Sequence, residues 1–162
     1  MRLLACSKRP ALLCAILWLA SLPSSWSQSS GVLTVQPIER VHVRRGEETS
    51  QKLTLDLKPG FHVNSNAPAD EYLIPLRLTW AKTPLDAGQI VWPKPEFEHL
   101  AFSEKPVSIF SGKFEIVTHF KAPPSATPGF AMMTGKLRYQ ACNDKECLPP
   151  KTIDVQFAVD IQ

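Results

Sequence analysis

The segment Ile153-Asp154-Val155-Gln156-Phe157-Ala158-Val159-Asp160-Ile161 is apolar at every odd position. Side chains two residues apart share one face of a β-strand, so a period of two marks a strand with one buried face and does not fit a helix. The same alternation runs through Leu53-Thr54-Leu55-Asp56-Leu57-Lys58 and Leu76-Arg77-Leu78-Thr79-Trp80. Weaker strand patterns occupy 32–35, 41–44, 89–92, 114–120 and 135–141. Between them stand turn signals: Pro59-Gly60, Ala67-Pro68, Pro93-Lys94-Pro95, Ser111-Gly112, Pro123-Pro124, Pro128-Gly129 and Pro149-Pro150. Thirteen of the 15 prolines follow residue 27 and leave little room for a long helix. The pattern predicts an all-β single domain, an immunoglobulin-like β-sandwich of about seven to nine strands. The stretch 93–109 reads as a long connection carrying Phe97 and Phe102, and such loops on a rigid sandwich often bear function.

The first 27 residues read differently from the rest. Arg2, Lys8 and Arg9 precede an apolar run over 11–22, and Ser25-Trp26-Ser27 offers small residues for a signal peptidase. A cleaved secretory signal over 1–27 and a mature domain over 28–162 are expected. Cys14 follows Leu12-Leu13 inside the apolar run, which argues against a lipoprotein signal. Roughly 12 apolar residues also fall short of the ~20 that span a bilayer, so no membrane insertion is expected after cleavage.

Cleavage alters the charge balance. The chain has 18 Lys+Arg and 15 Asp+Glu, and three of the basic residues lie before Gln28, leaving 15 of each sign. The basic footprint that nucleic acid requires is absent from the mature part. Cys6 and Cys14 would depart with the signal, leaving Cys142 and Cys147.

Four residues separate these two cysteines in Cys142-Asn143-Asp144-Lys145-Glu146-Cys147, at the end of a terminal hairpin with Asn143-Asp144 as turn formers. In an exported protein such a pair can form a lasting disulfide. As a staple it is poorly placed, because a loop this short contributes only about 2 kcal/mol in the chain-entropy model. Lys145, Lys151 and Arg138 would favour thiolate and hence reactivity. Asp144 and Glu146 oppose them, so on these residues alone a structural bridge and a redox couple both remain open.

Three segments carry a resemblance. Gly60-Phe61-His62-Val63-Asn64-Ser65-Asn66-Ala67-Pro68, Tyr72-Leu73-Ile74-Pro75, and 137–150 with its Tyr139-Gln140-Ala141-Cys142 and Cys147-Leu148-Pro149-Pro150 frame closely resemble the amino-terminal periplasmic domain family of the thiol:disulfide interchange protein DsbD. The likeness covers roughly 32–161. It implies an immunoglobulin-like periplasmic domain of a Gram-negative-type bacterium, exchanging dithiol and disulfide in the manner of a protein-disulfide reductase. Cys142 and Cys147 would be the redox pair, Cys147 forming mixed disulfides and Cys142 resolving them. A mobile cap over 100–105, with Phe102 as shield, would cover the pair, and Phe61, His62, Asn64 and Tyr139 would line the site. Thioredoxin-fold proteins would be electron donor and acceptor, and a separate membrane electron transporter would supply the donor. No cofactor is implied. The best-known members place one more residue between their cysteines and an aromatic just before the second, where this chain has Glu146.

Two other classes fit the residues. One is a non-catalytic sandwich that binds a partner, with a structural disulfide. The other is a thiol-based copper protein, since soft thiolates suit Cu(I). His42, His62, His99 and His119 show no ligand spacing to the cysteines. No Gly-x-Ser-x-Gly elbow, His-Glu-x-x-His or phosphate-binding glycine loop supports a hydrolase or nucleotide enzyme.

Overall fold

A computed structural model describes residues 31–100 and 103–162. The signal segment 1–27, with Cys6 and Cys14, and the shield residue Phe102 lie outside the described residues. Among the described residues there is no helix, hence none long and apolar enough to cross a membrane.

The chain forms β1 (Leu33–Val35), β2 (Val41–Val43), β3 (Glu48–Leu57), β4 (His62–Asn64), β5 (Arg77–Trp80), β6 (Asp86–Val91), β7 (Glu96–Glu98), β8 (Val107–Ser111), β9 (Lys113–Lys121), β10 (Gly129–Tyr139), β11 (Ala141–Cys142) and β12 (Lys151–Ile161). The fold is the expected all-β, immunoglobulin-like sandwich. The twelve strands among the described residues exceed the seven to nine read from the alternation, because β4, β7, β8 and β11 carry no readable period. The 93–109 connection is accordingly not a single loop, since it contains β7 and the start of β8.

Two sheets form the body, in orders β1-β3-β9-β6 and β2-β12-β10-β5. Their inward faces supply the alternating apolar positions: Leu53, Leu55 and Ile116 from one, Leu78, Leu137 and Val155 from the other, all in one buried cluster. A second cluster continues the core with Phe120, Met133, Phe157 and Val159. Trp80 meets Phe120 and Phe157 edge-on, with centroids 5.3 and 5.5 Å away, and donates from Nε1 to Thr118 Oγ1 at 3.0 Å. Its ring lies over Gly135, its partner on β10, where a Cβ would stand 2.5 Å from Trp80 Cε3. Glycine is therefore needed there for space.

The third sheet, β11-β4-β8-β7, sits at one end of the sandwich. Two of its strands continue strands of the body. Gly112, at a φ of 56°, turns β8 into β9 and so carries the chain from the third sheet to the first. That left-handed conformation suits glycine. After Tyr139 the chain leaves β10, and β11 pairs with β4 instead. Strands that bend from one sheet to another are how such sandwiches make corners, and here the corner holds both cysteines.

Candidate functional site: a hairpin disulfide beside a buried histidine

β10 and β12 pair residue by residue from Gly129↔Ile161 to Tyr139↔Lys151, which brings 140–150 to the end of the longest hairpin. Two side chains shape that segment. Asn143 Oδ1 accepts from Lys145 N at 2.8 Å and Glu146 N at 2.9 Å, closing the turn that its residue type predicts. Gln140 Nε2 donates to Leu148 O at 3.1 Å and clamps the two legs together. Leu148 N to Ala141 O at 2.8 Å and Asn143 N to Glu146 O at 2.9 Å bracket the cysteines from either side.

Within that bracket Cys142 and Cys147 face one another and are bonded, S–S 2.03 Å, with Cα atoms 4.0 Å apart. The two sulfur-bearing residues differ sharply in access. Cys142 is 0% exposed and Cys147 lies on the surface with Asp144, Lys145 and Glu146. Only Cys147 is thus open to solvent, because Cys142 is pinned into β11 against β4.

His62 is the residue opposite Cys142 on β4, and Ser111 stands opposite His62 on β8. Val63 points the other way, into the main core. His62 and Asn64 therefore share the face away from that core, two residues apart. Both are buried, at 5% and 1% exposure. Asn64 Nδ2 donates to Ile74 O at 3.0 Å, which ties the 66–76 segment over the sheet. The Oδ1 of Asn64 and the Nε2 of His62 have no hydrogen-bond partner among the described residues, an uncommon condition for buried polar atoms. Burial lowers the His62 pKa below the usual 6.5, and the carboxylates of Glu98 and Asp144 partly oppose that shift.

Tyr139 is buried at the end of β10, where burial raises its pKa, and it packs in the main cluster with Ala141. Phe61 packs half-buried against that same cluster. These two residues support the corner from the core side, whereas His62 and Asn64 occupy the opposite face. Of the expected cap, Leu100 packs with Leu73, Val107 and Ile109, and Ser103 Oγ donates to Lys105 O at 2.8 Å. Glu98, Ser111 and Gln140 were not singled out from the sequence. Only Gln140 had a sequence signal, its place in the Tyr-Gln-x-Cys frame. No group of three or more His, Cys, Asp or Glu side chains with metal-binding geometry occurs among the described residues.

An immunoglobulin-like sandwich with a short disulfide at a sheet corner, one cysteine exposed and one buried, defines a class of domain. The family model for the N-terminal region of the thiol:disulfide interchange protein DsbD matches residues 29–158. The chain belongs to that family. Among solved structures it is similar to the N-terminal periplasmic domain of ScsB from Proteus mirabilis, at 15% identity and a TM-score of 0.50, covering 79% of this chain and 44% of that one. This likeness bears on the fold alone, and the chain spans less than half the length of that relative. A family 123 glycoside hydrolase from Clostridium perfringens aligns at 17% identity over 76% of this chain and 23% of its own, with a TM-score of 0.28, too slight for any structural argument. A search of curated proteins found no match.

Proposed function

We propose that this chain is a periplasmic thiol:disulfide interchange domain, residues 28–162 after removal of a signal over 1–27, which passes reducing equivalents between thioredoxin-fold partners through a reversible Cys142–Cys147 bond. The observation that carries the reading is the unequal access of the two cysteines. A thiolate attacks a disulfide along the S–S axis and expels the far sulfur. An incoming macromolecule can reach Cys147, so Cys147 takes the mixed disulfide and Cys142 is the leaving group. In the opposite direction Cys147 thiolate attacks an oxidised client, and Cys142 then attacks Cys147 Sγ, releasing the reduced client and restoring the bridge. Two electrons and two protons move per cycle, and the exchange chemistry itself needs no cofactor.

The residues around the pair support this division. Gln140 and Asn143 hold the hairpin by bonds that do not pass through sulfur, so the two thiols stay adjacent when the bridge opens. Phe102 acts as the shield of a cap over 100–105, while Phe61, His62, Asn64 and Tyr139 form its floor and backing.

Cys142→Ala tests the assignment. Exported in a Gram-negative host, the variant accumulates mixed disulfides through Cys147 with thioredoxin-fold proteins, resolved by reducing gel shift and mass spectrometry. Cys147→Ala accumulates none. A bridge with a potential below about −300 mV, and no trapped partner in the Cys142 variant, would assign the disulfide to structure instead.

A further inference from the structure

Resting on the exchange reading above, we propose that His62 serves Cys142 as its proton acceptor when the mixed disulfide on Cys147 is resolved, and supplies Cys142 with a proton taken from solvent when the bridge is reopened. Three observations converge on this role. Cys142 and His62 are directly opposite on β11 and β4, a placement that sets side chains about 4.5–5.5 Å apart at Cβ. An imidazole spans such a gap. The Nε2 of His62 has no partner among the described residues, which leaves its lone pair or proton uncommitted to them while the disulfide is closed. Cys142 is wholly buried, so the thiol produced when the bond opens is out of contact with bulk solvent and needs a proton acceptor from the protein.

A buried thiol is a poor nucleophile, because only the thiolate attacks and burial disfavours the charge. In the resolving step the Cys142 S–H proton passes to His62 Nε2. Cys142 thiolate then forms the bond to Cys147 Sγ, the bond from Cys147 to the client sulfur breaks, and the client leaves as thiolate. His62 gives its proton to that thiolate or to solvent. The dithiol is oxidised by two electrons and the client disulfide is reduced by two. A transient imidazolium is met by charge from two sides. Glu98 on β7 and Asp144 in the cysteine turn both favour the protonated ring, while Ser111, its neighbour on β8, donates instead to Glu96 at 2.6 Å. With burial lowering its pKa, the ring is neutral and able to accept at neutral pH.

The test uses the reduced protein and a small aromatic disulfide, 5,5′-dithiobis(2-nitrobenzoate), in stopped flow from pH 5.5 to 8.5. Cys147 releases the first thionitrobenzoate, and attack by Cys142 on the resulting mixed disulfide releases the second. In the wild-type protein the second phase should vary less than about threefold between pH 6.5 and 8, because the base travels with the thiol. In His62→Gln that phase should climb about tenfold per pH unit, following free thiolate, and run at least about tenfold slower at pH 6.5. The first phase should stay within about twofold. Parallel pH profiles for the two proteins, or equal slowing of both phases, would overturn the proposal. Should His62→Gln not fold, a wild-type second phase that itself climbs tenfold per unit overturns it. Because the oxidant is a small molecule, the assay reads His62 independently of whether any thioredoxin-fold protein is a partner.

Discussion

Reducing the Cys142–Cys147 bond should lower stability by about 2 kcal/mol and leave the protein folded. The magnitude comes from the loop the bond closes. Residues 142–147 form a short ring, sequence separation 5, and the chain-entropy model gives roughly 2 kcal/mol for it, against ~4–5 for a bridge across most of a domain. Native contacts that survive reduction hold the hairpin in place: Asn143 Oδ1 with two backbone amides, Gln140 with Leu148, and the two backbone bonds flanking the cysteines. At about 0.5–1.5 kcal/mol each, they suffice to keep a short turn formed. By the thermodynamic cycle, 2 kcal/mol also means that folding lowers the potential of the pair by only roughly 40 mV relative to the unfolded chain, which leaves it exchangeable. Urea unfolding of the oxidised and reduced forms, followed by the fluorescence of Trp80, measures the difference directly. Midpoints should separate by about 1 M, and thermal midpoints by roughly 6–10 °C. A reduced form already unfolded without denaturant, or a separation above about 5 kcal/mol, would refute the reasoning and make the bridge a staple.

Replacing Asn143 by Ala removes two turn hydrogen bonds at an exposed loop and should cost about 1 kcal/mol. Because these bonds survive reduction and are lost from both redox forms, the equilibrium constant for reduction by dithiothreitol should stay within about twofold, measured by thiol quantification in redox buffers, whereas a roughly fivefold rise would mean they form only while the bridge is closed. Gly135→Ala drives a Cβ into Trp80 and the Thr79 carbonyl; overpacking of this kind costs about 1–3 kcal/mol in thermal unfolding and leaves the exchange chemistry of the reduced pair intact. The stability of the oxidised protein should fall as pH drops below 6.5, where the unfolded chain binds a proton that folded His62 refuses. This group contributes at most about 1.4 kcal/mol per pH unit, stops contributing below the lowered folded pKa, and has no effect above 6.5. Unfolding midpoints between pH 5 and 8 should show the slope in wild type and its loss in His62→Gln; identical slopes would mean the imidazole is not buried neutral.

What the sequence made legible, and what it hid, divide along one physical line. Most of the eight strands that alternation reveals lay one face on the core and the other in water, as β12 does from Ile153 onward with Val155, Phe157 and Val159 buried, whereas β6 is exposed along nearly its whole length. The strands it did not reveal are β4, β7, β8 and β11, and those are the four members of the third sheet. β4 and β8 are covered on both faces, so His62-Val63-Asn64 and Val107-Ser108-Ile109-Phe110 are buried without a break and show no period. β7 is exposed throughout, and β11 looks like the tail of β10 until the chain changes sheets at Gln140. The cysteines and the residues of their resemblance were visible; the sheet that holds them was not. Polar side chains at buried strand positions break the local pattern that signals a strand, and a fold keeps such violations where chemistry repays them. Had the third sheet been built on clean alternation, an apolar side chain would stand where His62 does, and a buried Cys142 would have had no base within reach.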